Sequence, residues 1–358
     1  MKFELPKWYD LHVHFRQGAP MADYIKAHLD MGVCGVLAMP NTKPPIAHVS
    51  DENTENYWTI ESYLNDLKQA GGNAFQDIIV PLYLTQETTT EMIEQGAESG
   101  LLRACKYYPP HGTTNSEFGS ALEGYIENGV FAAMEKAGII LNIHGEEHGL
   151  SGEEYFGENG NAEDYFYREH MPAIIKKFPN LKVVCEHITT KTAVDFVKNS
   201  DDNIVATITP QHLLYTVADL LQGFKYHLYC LPLVKFEKDK QALLDVAISG
   251  NKKFFAGTDS APHTTKATAC GCAAGCFTGL IAPQLYAQAF DLNENNLDAF
   301  KNFLCLNGPR FYTLPQAQGI FTLEKKDSII STLKTRDGEI VPLNIGLGQE
   351  TLPWTLTL

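Results

Sequence analysis

The stretch Asp10-Leu11-His12-Val13-His14-Phe15-Arg16 sets two imidazoles and a guanidinium at alternate positions near the N-terminus. Side chains two apart on a β-strand share a face, so His12, His14 and Arg16 point the same way if this run is a strand. Two imidazoles at a strand end can grip one metal ion. On this motif alone a hydrogen-bonded pair of core or surface histidines serves as well. Lys106, His144, His187 and Asp259 stand at or near the ends of other short apolar runs. Singly, each has a plain explanation: a buried histidine is usually hydrogen-bonded, a strand-end aspartate often caps a helix, and a lysine is usually solvated. Their recurrence at strand ends favours one shared chemistry. A protonated lysine has no lone pair for a metal. A deprotonated one can add carbon dioxide to give a carbamate, an anionic two-oxygen ligand that bridges two ions. The set then divides: His12, His14 and Asp259 on one ion, His144 and His187 on the other, carboxylated Lys106 and a hydroxide between them. Mixed imidazole and carboxylate ligation suits Zn²⁺.

Positioning these residues requires many strands in one order. Short apolar runs occur at 8–12, 35–39, 77–84, 101–107, 138–144, 181–187, 203–208 and 253–258. Helix-like stretches separate them, at 21–31, 51–70, 87–99, 119–137, to 178, 189–199 and 238–249. Eight such units predict an α/β fold, a (β/α)₈ TIM barrel, whose active face is the C-terminal ends of the strands. A doubly wound sheet would carry a Gly-rich phosphate loop after its first strand, and His12-Val13-His14-Phe15-Arg16-Gln17-Gly18 is not one. Residues 109–116 read as an exposed loop and 145–163 as a loop insertion. The barrel is expected over 1–318, with a C-terminal extension over 319–358 whose runs 329–333 and 339–343 look like short strands.

The chain has 358 residues, 44% hydrophobic and 20% charged, an ordinary globular composition. Its net charge of −15 argues against nucleic acid or an anionic membrane as partner. A small anionic substrate remains compatible, because a local arginine or metal can dominate the field in a pocket. No apolar stretch is long enough to span a bilayer, and residues 1–8 have no extended apolar segment of a signal peptide. A soluble, cytoplasmic protein is expected. The eight cysteines read as free thiols. Cys270-Gly-Cys272-Ala-Ala-Gly-Cys276 lacks the paired spacing of a structural zinc site.

The HxHxR run, the strand-four lysine, the two strand-end histidines and the strand-eight aspartate together resemble the amidohydrolase superfamily. Longer stretches narrow the resemblance: Met39-Pro40-Asn41-Thr42-Lys43-Pro44-Pro45, Lys106-Tyr107-Tyr108-Pro109, Thr113-Thr114-Asn115-Ser116, His144-Gly145-Glu146, Glu186-His187-Ile188-Thr189-Thr190, Thr207-Ile208-Thr209-Pro210-Gln211-His212, Cys230-Leu231-Pro232, Gly257-Thr258-Asp259-Ser260-Ala261-Pro262-His263, Cys270-Gly271-Cys272 and Asn307-Gly308-Pro309. They are similar to the dihydroorotase family of pyrimidine synthesis, bacterial homodimeric type, from about residue 10 to 315. The resemblance implies reversible cyclisation of N-carbamoyl-L-aspartate to (S)-dihydroorotate, a homodimer, and a pair of zinc ions per subunit. It makes His12, His14, Lys106, His144, His187 and Asp259 the metal ligands, and Asp259 also the proton shuttle. Arg16, Asn41 and His263 would hold the substrate carboxylate. Leu231 and one alanine, taken as Ala273, would meet the ring through the backbone, and Thr113 and Thr114 would tip a mobile loop. The segment between His263 and Cys270 is shorter than the family pattern, and Ala273-Ala274 carries one residue more, so the choice between these alanines stays open. Residues beyond 316 have no counterpart. Competing readings are another cyclic amidase, of hydantoinase or allantoinase type, and a metal-free barrel serving as a scaffold.

Overall fold

Eight parallel strands form the barrel: Trp8–Val13, Val33–Ala38, Asp77–Ile79, Ala104–Tyr107, Ile140–His144, Val183–Glu186, Ile204–Ile208 and Phe254–Ala256. They are taken from a computed structural model that describes residues 1–358. Strands one to three are hydrogen-bonded in sequence, as are strands four to eight. The third strand is broken at Val80-Pro81, because proline has no N–H for the ladder. Asp77–Ile79 pairs with strand two, and its continuation Leu82–Tyr83 pairs with strand four. The ring closes where Val13 bridges Ser260 in parallel. There the Asp259 amide donates to His12 O at 2.9 Å and the His14 amide to Ser260 O at 3.0 Å. Closure therefore joins the two strand ends that carry His12, His14 and Asp259.

Inside the ring, Leu11, Ala104, Ile140, Val184, Val205 and Phe255 belong to one buried cluster with Tyr312, the layered filling that makes such barrels solid. A larger cluster joins strands to the outer helices. Helix Lys191–Asn199 is representative. Thr190 caps it by accepting from the Ala193 amide, and Ala193, Val194 and Val197 are its buried residues. Each full burial of a side chain the size of valine contributes ~1.5–3 kcal/mol.

Where the elements depart from sequence expectation, local side chains explain it. The stretch 51–70 is helical only over Ile60–Gln69. Asn53 Oδ1 accepts from the Thr59 amide and Ser62 Oγ, and Thr54 Oγ1 from the Asn56 and Tyr57 amides. These short-range bonds compete with helix. The stretch 119–137 splits into Leu122–Glu127 and Val130–Ala137, because Gly129 takes a left-handed φ of 85°. In the tail, Ser328–Ile329, Leu333–Thr335 and Gly338–Ile340 are strands, while Leu343–Gly346 is a helical turn. The N-terminal strand Lys2–Pro6 pairs antiparallel with Ile320–Glu324, which also pairs with Thr355–Thr357. Phe3, Leu5, Phe321 and Leu323 from this sheet, with the adjacent Trp354, join the large barrel cluster. No helix is long and apolar enough to cross a membrane.

Candidate metal centre

His12, His14, Lys106, His144, His187 and Asp259 come together at the C-terminal mouth of the barrel, and all six are buried. His14 Nε2 lies 2.9 Å and His12 Nε2 3.4 Å from Asp259 Oδ1. The His12 and His187 rings are 4.9 Å apart between centroids, and those of His144 and His187 4.7 Å. One ligand atom each from His12, His187 and Asp259 lies within 4.8 Å of the others. Burial holds His12 and His187 well below, and His14 below, the ordinary imidazole value. Neutral imidazoles with free lone pairs are what a metal binds. His187 Nδ1 is buried without a partner. Burial opposes ionisation of Asp259, yet His12 and His14 bring its carboxyl down to about 2. An unpartnered buried nitrogen, neutral imidazoles and one ionised carboxylate fit a cation. Lys106 is fully buried, and burial presses its amine well below the ordinary lysine value. Its Nζ touches Glu186 and lies 4.8 Å from the Tyr108 ring centroid.

The strand ends hold these side chains through unusual backbone. Arg16, His187 and Asp259 adopt left-handed φ of 58°, 39° and 49°, a cost that non-glycine residues bear at functional sites. The contacts that fix them are specific. Tyr63 Oη donates to Arg16 O at 2.9 Å, and the His187 amide donates to Thr207 Oγ1 at 2.7 Å.

A cavity open to solvent lies over this cluster. Arg16, Asn41, Thr113, Thr114, Leu231 and Ala274 line it together with the histidines and Asp259. Asn41 Nδ2 donates to Thr114 O, and Asn115 Nδ2 donates back to Asn41 O, both at 2.9 Å, so the 109–121 loop is pinned over the opening. His263 lies behind the lining. Its Nε2 donates to Ala274 O at 2.8 Å and is 3.4 Å from Arg16 Nη2. Burial and Arg16 push His263 down to about 3, so the positive charge here is that of Arg16. Ala273 does not reach the cavity; its carbonyl accepts from Lys266 Nζ at 2.6 Å, and Ala274 takes the lining position. Cys270, Cys272 and Cys276 carry free thiols.

Three acidic groups that sequence reasoning did not single out support the ligands. Glu146 Oε2 accepts from His144 Nε2 at 2.9 Å, which leaves His144 Nδ1 as the lone-pair nitrogen. Glu186 Oε1 lies 3.2 Å from His12 Nδ1. Asp10 accepts from the Thr258 amide at 3.0 Å and Thr258 Oγ1 at 2.6 Å, tying the first strand to the last. The available signal was a carboxylate within two residues of His12, His144 and His187.

The model of the Amidohydrolase family matches residues 9–190. A dihydroorotase of Acaryochloris marina is 40% identical over 364 aligned residues, covering 99% of each chain. Among solved structures, the dihydroorotase of Saccharomyces cerevisiae in complex with 5-fluoroorotic acid superposes with a TM-score of 0.86 at 28% identity, covering 99% of this chain and 98% of that one. An L-hydantoinase of Arthrobacter aurescens, covering 99% of this chain and 83% of its own, has a TM-score of 0.77 at 14% identity, a likeness of fold alone. The chain belongs to the dihydroorotase family of the amidohydrolases.

Proposed function

We propose that the chain interconverts N-carbamoyl-L-aspartate and (S)-dihydroorotate at a pair of zinc ions, as a homodimer. The ions would be held by His12, His14, His144, His187, Asp259 and Lys106 as its N6-carboxylated form. The observation that carries this reading is the convergence of His12, His14, His144, His187 and Asp259 on a cavity that also contains Arg16, with Lys106 fully buried on a neighbouring strand end. When bound, such a metal pair polarises a carbonyl and acidifies a coordinated water.

The chain's own residues do the rest. Arg16 offers parallel N–H donors to the substrate carboxylate, a planar match that lysine lacks. Asn41 and neutral His263 flank it. Leu231 and Ala274 present backbone to the ring. In the hydrolytic direction Asp259 accepts the proton of the attacking water and delivers it to the departing ring nitrogen; cyclisation runs the same transfers in reverse. Thr114, held by Asn41, and the adjacent Thr113 exclude water while the loop is shut. The yeast relative's complex with 5-fluoroorotic acid supports a carboxylated pyrimidine as the ligand class.

The test is turnover by metal-loaded protein of dihydroorotate, hydantoin and dihydrouracil side by side, with metal content and the mass of the Lys106 peptide measured. Turnover of dihydroorotate alone is expected. Turnover confined to the neutral rings would overturn the reading, and an unmodified Lys106 in fully loaded enzyme would remove the carbamate.

A further inference from the structure

Lys266 points inward and is only 7% exposed. Its ammonium donates to three carbonyl oxygens: Tyr229 at 2.8 Å, Ala273 at 2.6 Å and Gly275 at 2.5 Å. An ammonium has three N–H groups, and all are used here. These acceptors belong to two segments that wall the cavity. Tyr229 stands two residues before Leu231, and Ala273 and Gly275 bracket Ala274. Leu231, Ala274 and Gly275 are lining residues.

The surrounding bonds make one unit of these segments. The Gly275 amide donates to the same Tyr229 oxygen at 2.9 Å, and the Ala273 amide to Lys266 O at 2.8 Å. His263 Nε2 occupies Ala274 O. The amides of Leu231 and Ala274 are left with no acceptor in the protein. Gly275 itself is forced: at φ 135°, an added Cβ would lie 2.6 Å from Ala261 Cβ. The backbone carbonyls on either side of Ala274 are thus turned to Lys266, while the Ala274 amide stays free at the cavity wall.

We propose that Lys266 is a positioning residue for substrate binding, whose ammonium gathers the carbonyls of Tyr229, Ala273 and Gly275 and so fixes the Leu231 backbone relative to that of Ala274. Lys266 touches no reacting atom. The substrate named in the test rests on the proposed function; the staple does not.

In Lys266→Met the side chain keeps an unbranched apolar stem, one atom shorter, and loses every donor. Zinc content should be unchanged, kcat should stay within about twofold, and KM for dihydroorotate should rise roughly tenfold, the pattern of lost binding geometry. Hydrogen exchange in a peptide spanning 267–277 should quicken, because the Gly275 amide bond to Tyr229 loosens. Lys266→Gln, which retains two donors, should fall between wild type and Lys266→Met in both readouts, and it carries the test if the methionine variant does not accumulate folded. An unchanged KM, an unchanged exchange rate, or a loss of kcat and zinc together would overturn the proposal. The exchange measurement needs no substrate, so a wild-type protein inert toward dihydroorotate would sink the proposed function while the staple is still decided.

Discussion

Glu146 offers a quantitative test of how His144 is oriented for its proposed metal. It is 4% exposed, its Oε2 accepts from His144 Nε2 at 2.9 Å, and its Oε1 is 3.7 Å from Lys235 Nζ. Lys235 is itself buried, with Leu233 O at 3.0 Å as its other partner. Glu146→Ala therefore does two things. It frees His144 to rotate and to take the other tautomer, and it strands a buried cation. Hydrogen bonds to charged groups are worth ~1.5–3 kcal/mol, and removal of such a carboxylate behind a metal-binding histidine weakens metal binding ~10–100-fold. Orphaning a buried ion costs a further ~3–5 kcal/mol of stability. Zinc affinity measured by chelator competition should fall by that 10–100-fold, and denaturant unfolding of the metal-free protein should report the stability loss. The two effects separate in Glu146→Ala/Lys235→Met, because removing the cation restores much of the stability and none of the zinc affinity. Wild-type zinc affinity in Glu146→Ala would refute the orienting role. Full recovery of affinity in the double variant would assign the whole effect to Lys235.

Asp259→Asn should abolish turnover, by about 10³-fold or more since it removes both proton shuttle and ligand charge, while part of the zinc stays bound; near-normal rates would exclude Asp259 as the shuttle. Lys106→Ala should lose the metal pair by elemental analysis, with short carboxylic acids restoring some of it, and full zinc content would contradict a bridging role. Arg16→Ala should raise KM for carbamoyl aspartate by roughly 10²-fold with a smaller effect on kcat, as expected for a charge-assisted clamp; an unaltered KM would take Arg16 out of the carboxylate site.

The barrel and the six converging residues were legible because parallel strands all end at one rim. A ligand-type residue closing an apolar run is therefore placed in space by its place in sequence. The supporting groups had no such marker. Glu146 and Glu186 lie beside His144 and His187, but in a chain with 43 acidic residues an acid near a histidine is commonplace. Lys266 acts on backbone oxygens up to 37 residues away, and no side-chain pattern advertises a carbonyl. The choice between Ala273 and Ala274 was left open for a related reason. In an irregular loop containing a residue with φ 135° at Gly275, neither helical nor strand periodicity tells which of two neighbours faces the cavity. The helix expected from 51 was cut short by Asn53 and Thr54, whose competing bonds become visible only when their partners are in place.

The sign of the charge around the cavity follows from pairing rather than from composition. Lys235 meets Glu146, so this buried cation arrives already matched. Arg16 and Lys266 differ: the polar contacts of Arg16 are His263 and, through its own carbonyl, Tyr63, and those of Lys266 are carbonyls. The acids that give the chain its −15 are mostly at the surface, where ions screen them beyond ~8 Å. A carboxylate entering the cavity therefore meets, in Arg16, a guanidinium with no protein carboxylate in hydrogen-bond contact. A cyclic amide without a carboxylate strips water from Arg16 and supplies no anion in return, at a cost of ~2–5 kcal/mol relative to the matched ligand. That difference amounts to at least about thirtyfold in binding, and on the proposed function it would make Arg16, rather than the proposed metal ligands, the group that separates dihydroorotate from hydantoin-like rings.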